Sequence, residues 1–282
     1  MQVLLGGVLT GCIYALVAVG LALIWGLMGL VNFAHGDLLM VGMYASFWFW
    51  ALFKIDPFLG LPLNALLIFC FGVAVYFVIT KKVLRAERTS QIFATFGLAI
   101  ALRAGAQFFW SPDYRMIKDP ILGGVMKIGE LTVGKAHLIG GIVALSLSIA
   151  LYYIILKTDF GRALRATAED RETAEIMGIN TDKVFALAWG IGGGCVGIGG
   201  ALMASYYYIY PDVGLMFSTL APAIVALGGF GNIPGAVIAA IIVGVVQTGF
   251  SFFLSPAYKL AMVYALYLAV VIARPQGLFG RR

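Results

Sequence analysis

An amide, an imidazole and a carboxylate stand within six residues of one another, at Asn32, His35 and Asp37, in an otherwise apolar stretch. Groups of these types can hydrogen-bond a polar solute, or they can cap the backbone groups that a broken helix leaves free. A catalytic role is not indicated, because no nucleophile or second acid stands near His35 to complete a catalytic set. The chemistry open to the three side chains therefore depends on the elements that position them.

The apolar run before these residues is too long for one membrane crossing. Asp37 is the first charged side chain, and 36 residues precede it. A continuous helix of that length would extend roughly 54 Å, against a hydrocarbon core of roughly 30 Å. The run must therefore break, and a polar break between membrane segments is typical of a path through the membrane. We predict that Asn32, His35, Gly36 and Asp37 line or gate such a path. The alternative is that they hold the break together.

Composition places the whole chain in a membrane. It is 62% hydrophobic and 11% charged, whereas soluble domains average about 25% charged residues. Three cysteines cannot all pair and two histidines make a His-based metal site improbable, so neither a metal nor another cofactor is predicted. We interpret the net charge of +6 as a topology signal and predict no nucleic-acid partner.

Segment lengths predict an all-α integral membrane protein, a polytopic bundle of about eight or nine transmembrane segments. The second and seventh segments border Gly- or Pro-bearing breaks, at Gly36 and at Pro211 to Gly214, and are predicted to be broken or re-entrant. We expect one transmembrane domain over residues 1–282, built from two loosely related halves. The nine candidate segments are approximately 3–29, 33–53, 62–80, 90–110, 137–156, 184–209, 214–229, 233–254 and 258–273.

Basic residues predict the orientation. They cluster in the loop 81–88, in the loop 157–183 and at the C-terminus, and alternating passes place all three clusters on one side. The positive-inside rule makes that side cytoplasmic, with an external N-terminus. The loop 111–135 is then external, and its alternating stretch from Val125 to Val133 predicts a small hairpin, either a plain connector or a docking edge.

Glycines and one cation leave further alternatives open. Gly193 and Gly197 have the spacing of a close helix–helix contact. Arg103 lies inside an apolar segment, where it either reaches the outer interface or pairs with a buried partner. A second Gly/Pro-bearing break is interpreted as a turn or a gating hinge, and its residues are Gly228, Gly229, Gly231, Asn232, Pro234 and Gly235.

The loop 157–183 is predicted to be a short helical element at the cytoplasmic surface. Two i,i+4 pairs, Arg165 with Glu169 and Arg171 with Glu175, favour helix. Gly178 followed by an apolar residue predicts a helix stop, and Asn180, Thr181 or Asp182 can cap the next helix. The loop is either a solvated connector or a surface for a cytoplasmic partner. Because the chain has no P-loop, any nucleotide energy must come from elsewhere.

Residues 169–179, EDRETAEIMGI, resemble the ATPase-docking loop of ABC importer permeases. The resemblance narrows to LivH-type permeases of branched-chain amino acid importers through four motifs in order: GLMGLVNFAHGD at 26–37, GRALRA at 161–166, GGFGNIPG at 228–235 and RPQGLFG at 274–280. It covers nearly the whole chain, although Arg103 stands where many members are expected to have an amide. ATPase coupling is implied for Gly161, Arg162, Arg165, Glu169, Asp170, Ala174 and Gly178.

The resemblance also implies partners and a function. A second, LivM-type permease, two cytoplasmic ATPases that use the ATP, an external substrate-binding protein and membrane lipid would complete an inner-membrane importer. The chain itself would be a transport subunit and not an enzyme. Branched-chain or other hydrophobic amino acids are the implied substrates, with urea or short amides as the alternative within the class. A secondary transporter or channel is a rival from another class, but the scarcity of acidic residues within the membrane segments argues against the coupling-ion sites that it would need. A membrane-embedded enzyme is disfavoured because the sequence has no acid–base or metal-binding constellation.

Overall fold

The structure, a computed structural model, describes residues 1–129 and 131–280. Helices dominate it, and one short hairpin is the sheet of this described part. The helices are α1 Gln2–Met28, α2 His35–Phe53, α3 Leu61–Val75, α4 Lys81–Val83, α5 Arg88–Trp110, α6 Lys135–Lys157, α7 Asp159–Glu169, α8 Arg171–Ile176, α9 Thr181–Ala204, α10 Val213–Gly228, α11 Ile233–Phe253 and α12 Lys259–Ala273. A π-helical stretch, Tyr76–Thr80, joins α3 to α4, a 3-10 turn, Pro256–Tyr258, precedes α12, and strands β1 Val125–Ile128 and β2 Leu131–Gly134 form the hairpin.

Eight helices in the described part are long and apolar enough to cross a membrane. The candidate spans include the continuous helix Leu61–Val83, which contains the π-helical stretch. The ninth apolar helix, α10, has 16 residues and is shorter than a full span. The all-α polytopic fold is therefore confirmed, and the seventh predicted segment is a partial helix.

The two ends of the bundle are marked by different elements, and we call them the hairpin face and the α7 face. Gln2 at the start of α1 donates a hydrogen bond to the Thr132 carbonyl in the hairpin, at 3.0 Å. At the other end of α1, Trp25 packs on Phe230 with ring centroids 4.5 Å apart, and Phe230 shares a cavity with Arg165 of α7. Helix α1 therefore runs from the hairpin face to the α7 face.

The predicted break after α1 is present. Gly29 ends the helix in the left-handed conformation with φ +63°, and its amide donates to the Trp25 carbonyl. The chain then turns back, and α2 begins at His35, whose Nε2 lies 2.9 Å from the Val17 carbonyl in the middle of α1. Helix α2 thus starts in the interior of the fold.

The break between α9 and α10 repeats this arrangement from the opposite side. Residues 205–212 turn back beside Arg115, which exchanges two backbone hydrogen bonds with Ile209, both 2.9 Å long. Helix α10 then begins at Val213, where the backbone of Gly214 lies against that of Gly36. Helices α2 and α10 therefore begin side by side in the interior and run towards opposite faces.

These elements form two inverted repeats, which match the predicted two halves. Helices α1, α2, α3 and α5 correspond to α9, α10, α11 and α12. Under this correspondence α1 packs along α11 just as α9 packs along α3. Each half also contacts its equivalent in the other half, α1 with α9 and α2 with α10. Inverted repeats with discontinuous helices at their interface are typical of membrane transporters.

Glycines allow the closest of these helix crossings. A Cβ on Gly193 would lie 2.5 Å from the Ile68 carbonyl oxygen, and one on Gly11 would lie 2.6 Å from the Ile241 Cα. A side chain at either position would force the α3–α9 or the α1–α11 pair apart. The predicted packing role of Gly193 is confirmed.

Candidate functional site

The breaks after α1 and α9 bring two helix N-termini together inside the bundle. A Cβ on Gly36 would overlap the Ser218 amide, and one on Gly214 would lie 2.8 Å from the Gly36 carbonyl oxygen. Glycine at both positions is what lets the backbones approach. Because each helix N-terminus carries a partial positive charge, the junction concentrates positive potential in an apolar interior.

Asp37 supplies the counter-charge at this junction. It lies in the first turn of α2 and is fully buried. The Ser218 hydroxyl of α10 donates to its Oδ2 at 3.1 Å, and the Arg103 Nε of α5 lies 3.0 Å from its Oδ1. Of the two alternatives for Arg103, the structure therefore selects the buried partner. The Asp37 carboxylate thereby connects α2 to α10 and to α5.

Asn32 and His35 hold the break together, and each keeps one polar atom uncommitted. The Asn32 Oδ1 accepts a hydrogen bond from the Ala34 amide at 3.0 Å. The His35 Nε2 must carry a proton, since the Val17 carbonyl that it contacts can only accept. Within the described chain, the buried Asn32 Nδ2 and His35 Nδ1 have no hydrogen-bond partner.

The junction is closed to both faces in this conformation. Asn32, His35 and Asp37 are all fully buried. A solute therefore does not reach them in this conformation. The hydrogen bonds of this conformation are those of the capping alternative, and contact with a solute stays a prediction.

The loop between α6 and α9 forms two capped helices, as its composition predicted. The Thr158 hydroxyl caps α7 and accepts from the Gly161 amide at 3.2 Å. Asp170 caps α8 through the amides of Glu172 and Thr173, at 2.9 and 3.1 Å. Hydrogen bonds from the Thr173 hydroxyl and amide lower the pKa of the Asp170 carboxyl, so this cap stays ionised at neutral pH.

The predicted stop at Gly178 is confirmed in detail. Gly178 has φ +85°, its amide donates to the Glu175 carbonyl, and the Ile179 amide donates to the Ala174 carbonyl, both at 3.0 Å. This pair of bonds is a Schellman motif. Of the three candidate caps for the next helix, Asn180 is the one used, accepting from the Lys183 amide at 3.0 Å.

One of the two predicted ion pairs in this loop is present. Arg171 and Glu175 lie 3.0 Å apart. Arg165 does not pair with Glu169, because its guanidinium donates to the Ile155 carbonyl near the end of α6. The Ile155 carbonyl in the last turn of α6 has no partner within its helix and is therefore a strong acceptor, which Arg165 contacts in place of the solvated Glu169 carboxylate. Arg162 forms its ion pair with Asp159, in the first turn of α7.

Comparison with known proteins decides the family. Residues 3–271 match the family described as "Branched-chain amino acid transport system / permease component". The chain belongs to this family. The high-affinity branched-chain amino acid transport system permease protein LivH of Escherichia coli is 31% identical over 100% of this chain and 96% of its own length.

More distant members cover the chain equally well. The corresponding permease protein BraD of Pseudomonas aeruginosa is 26% identical over 100% of this chain and 96% of its own length. The probable branched-chain amino acid transport permease protein LivH of Methanocaldococcus jannaschii is 29% identical over 99% and 92%. No solved structure matches the chain.

In this permease, the Gly/Pro-bearing segment after α10 forms a turn at the α7 face. Gly229 and Gly231 have φ values of +97° and +71°. Asn232 caps α11 through the Gly235 amide at 2.9 Å, and its Nδ2 donates to the Phe279 carbonyl at 2.8 Å. Pro234 stands in the first turn of α11. The segment is a turn fastened to the C-terminal residues, and hinge motion in it stays a prediction.

Two features of this permease escaped the sequence analysis. Ser218 completes the junction and had no signal in the sequence, whereas Gly214 belongs to the break that borders the seventh predicted segment. Ile176 and Met177 are 85% and 77% exposed at the end of α8, beside the predicted stop. Two exposed apolar side chains at the tip of a polar loop are typical of an interaction surface.

The tip of the loop is also connected to the bundle. The Thr181 hydroxyl at the start of α9 donates to Glu175 at 2.6 Å. The neighbouring Asp182 accepts from the Tyr76 hydroxyl at 2.9 Å and pairs with Lys81 at 2.8 Å. These contacts connect α8 to α9 and, through Asp182, connect α9 to the π-helical stretch of the third span.

Proposed function

We propose that this chain is a permease subunit of an ABC importer that moves branched-chain or other hydrophobic amino acids into the cytoplasm. The observation that carries the proposal is full-length similarity to permeases of branched-chain amino acid transport systems. Two inverted repeats that meet at the N-termini of α2 and α10 give the chain an architecture suited to alternating access. Urea or a short amide is the competing substrate class, and no feature of the junction favours it.

Partners follow from the same similarity. Two cytoplasmic ATPases would dock on α7 and α8, with Ile176 and Met177 as the apolar contact and Glu175, Thr181 and Asp182 as the link to the bundle. The coupling residues proposed from the sequence, Gly161 to Gly178, all lie on or beside these helices. An external binding protein would deliver the substrate at the hairpin face, and a LivM-type second permease would complete the membrane part.

The junction of α2 and α10 is the proposed gate. Its buried polar atoms, Asn32 Nδ2 and His35 Nδ1, would become available to a solute if the N-termini of α2 and α10 separated. Buried polar atoms without partners destabilise the closed arrangement, so a polar solute that hydrogen-bonds to them would stabilise an open one. Gly36 and Asp37 are part of the same gate.

Uptake of radiolabelled L-leucine tests the function. Cells without their own branched-chain uptake should gain saturable uptake when the chain is produced with its importer partners. Isoleucine and valine should compete, and a hydrolysis-dead ATPase is the matched control. Uptake of urea in place of leucine would replace the proposed substrate, and uptake that persists with the dead ATPase would point to a secondary transporter.

Cysteine labelling tests the proposed orientation, with the α7 face cytoplasmic and the N-terminus external. Cysteines introduced at the exposed positions Ala86 and Ala168 should react with an impermeant maleimide only after the cells are opened, and one at Ile121 should react in intact cells. The unmodified chain corrects for its native cysteines. Reaction of positions 121 and 168 from the same side would contradict the topology.

A further inference from the structure

A cavity of about 480 Å³ opens near the hairpin face, and its lining residues come from α1, α6, α9, α10, α11 and α12. Its volume lies in the range of small-molecule sites. It is separate from the polar junction, because neither Asn32 nor Asp37 lines it. No role in the proposed gate explains it.

The cavity contains a buried acceptor without a partner. Gln247 of α11 lines it and is 6% exposed, and its Oε1 makes no hydrogen bond within the described chain. A buried amide oxygen left in this state costs about 1–3 kcal/mol. A donor from a bound molecule would remove that cost. The Tyr14 side chain of α1 lines the same wall and is also buried.

The charge of the lining selects the ligand. Among the described residues around the cavity, Lys259 is the single charged side chain and none is a carboxylate. Hydroxyl groups of Thr10, Thr248 and Ser251 add hydrogen-bonding capacity, whereas Met216 supplies apolar surface. A lone cation beside neutral acceptors and apolar side chains suits a molecule with a carboxylate, a hydrogen-bond donor and an apolar body.

Consecutive residues of α10 connect the cavity to the junction. Met216 of α10 lines it, and the adjacent Phe217 packs edge-on against Tyr14 with ring centroids 6.0 Å apart. The next residue, Ser218, donates to Asp37. The cavity therefore adjoins the same turn of α10 that packs at the junction.

We propose that this cavity is a binding site for the transported solute before the junction opens, and that the solute is a hydrophobic α-amino acid held through its carboxylate by Lys259 and through its ammonium by Gln247. The assignment rests on the proposed function. It adds a site inside this subunit, on the hairpin side of the gate, which the polar break alone did not indicate.

Cysteine protection in the assembled importer, reconstituted in nanodiscs, tests the site. Thr248→Cys places a thiol in the lining, and L-leucine should slow its reaction with a small maleimide in a concentration-dependent manner. Gln247→Leu removes the acceptor at nearly constant volume and should raise the half-protecting concentration about tenfold, the effect of one hydrogen bond to a charged group. Gln107→Leu, the same change at an exposed position of α5, is the control and should leave it within about twofold.

A second variant covers the case in which Gln247→Leu does not assemble. Lys259→Gln removes the cation at a partly exposed position and should raise the half-protecting concentration at least about fivefold. An importer that takes up leucine but shows no protection overturns the cavity site alone. An importer that takes up no amino acid overturns the proposed function, and the site falls with it. Reactivity that follows the phosphatidylglycerol content of the nanodisc and ignores leucine identifies a lipid headgroup, which also overturns the site.

Discussion

Replacing Asp37 with asparagine should sharply reduce the yield of folded permease. The change leaves Arg103 with its charge and without its partner, in a side chain that is 17% exposed. Removing one member of a buried ion pair typically costs about 3–5 kcal/mol, a large share of the stability of a domain. The measurement is the fraction that survives heating in detergent, followed by size-exclusion chromatography.

The double variant Asp37→Asn with Arg103→Gln is the decisive control. Both charges are then gone and two amides face each other, so folding should return close to the level of the unmodified chain. If the single and the double variant lose the same folded fraction, removing Arg103 does not compensate for removing Asp37. That result would contradict the ion pair between the two side chains. If the double variant assembles but no longer transports, the junction acts in the transport cycle as well as in folding.

Replacing Gly178 with valine should uncouple ATP hydrolysis from transport. The left-handed conformation at φ +85° is strained for a β-branched residue, so the end of α8 should shift and carry Ile176 and Met177 with it. We expect uptake to fall at least about tenfold, because the proposed docking of the ATPases would depend on the position of this tip, while the partner ATPases should still hydrolyse ATP. Parallel assays of uptake and of phosphate release by the assembled importer provide the measurement.

Gly178→Asn is the matched control for that experiment. Asparagine tolerates the left-handed conformation, so this variant should keep most of its coupled transport. If valine and asparagine behave alike and both transport normally, the stop does not position the docking tip. If both abolish assembly, the glycine is needed for its lack of a side chain and not for its backbone angle.

Local signals in the sequence were sufficient for the elements of the fold. The uncharged run before Asp37 located the break, because the length of a helix and the thickness of a bilayer are both known. The hairpin and the stop at Gly178 followed from alternation and from a glycine next to an apolar residue. Each of these depends on neighbours in the sequence, which is the information that a single chain displays.

Contacts between distant residues were not accessible in this way. Arg103 and Asp37 are separated by two helices, and nothing near either residue identifies the other. The cavity likewise collects Tyr14, Gln247 and Lys259 from three helices. The expected pair of Arg165 with Glu169 was wrong because a carbonyl on another helix competes for the guanidinium. Such competition is decided by packing.

The pairing of Asp37 with Arg103 has an electrical consequence. Moving one elementary charge across a membrane at 100 mV involves about 2.3 kcal/mol. Two opposite charges held 3.0 Å apart and displaced together transfer almost no net charge through that field. As long as the pair moves as a unit, its displacement draws almost nothing from the membrane voltage. We therefore expect the proposed importer to take up its substrate at the same rate in energised and in depolarised cells that contain equal ATP.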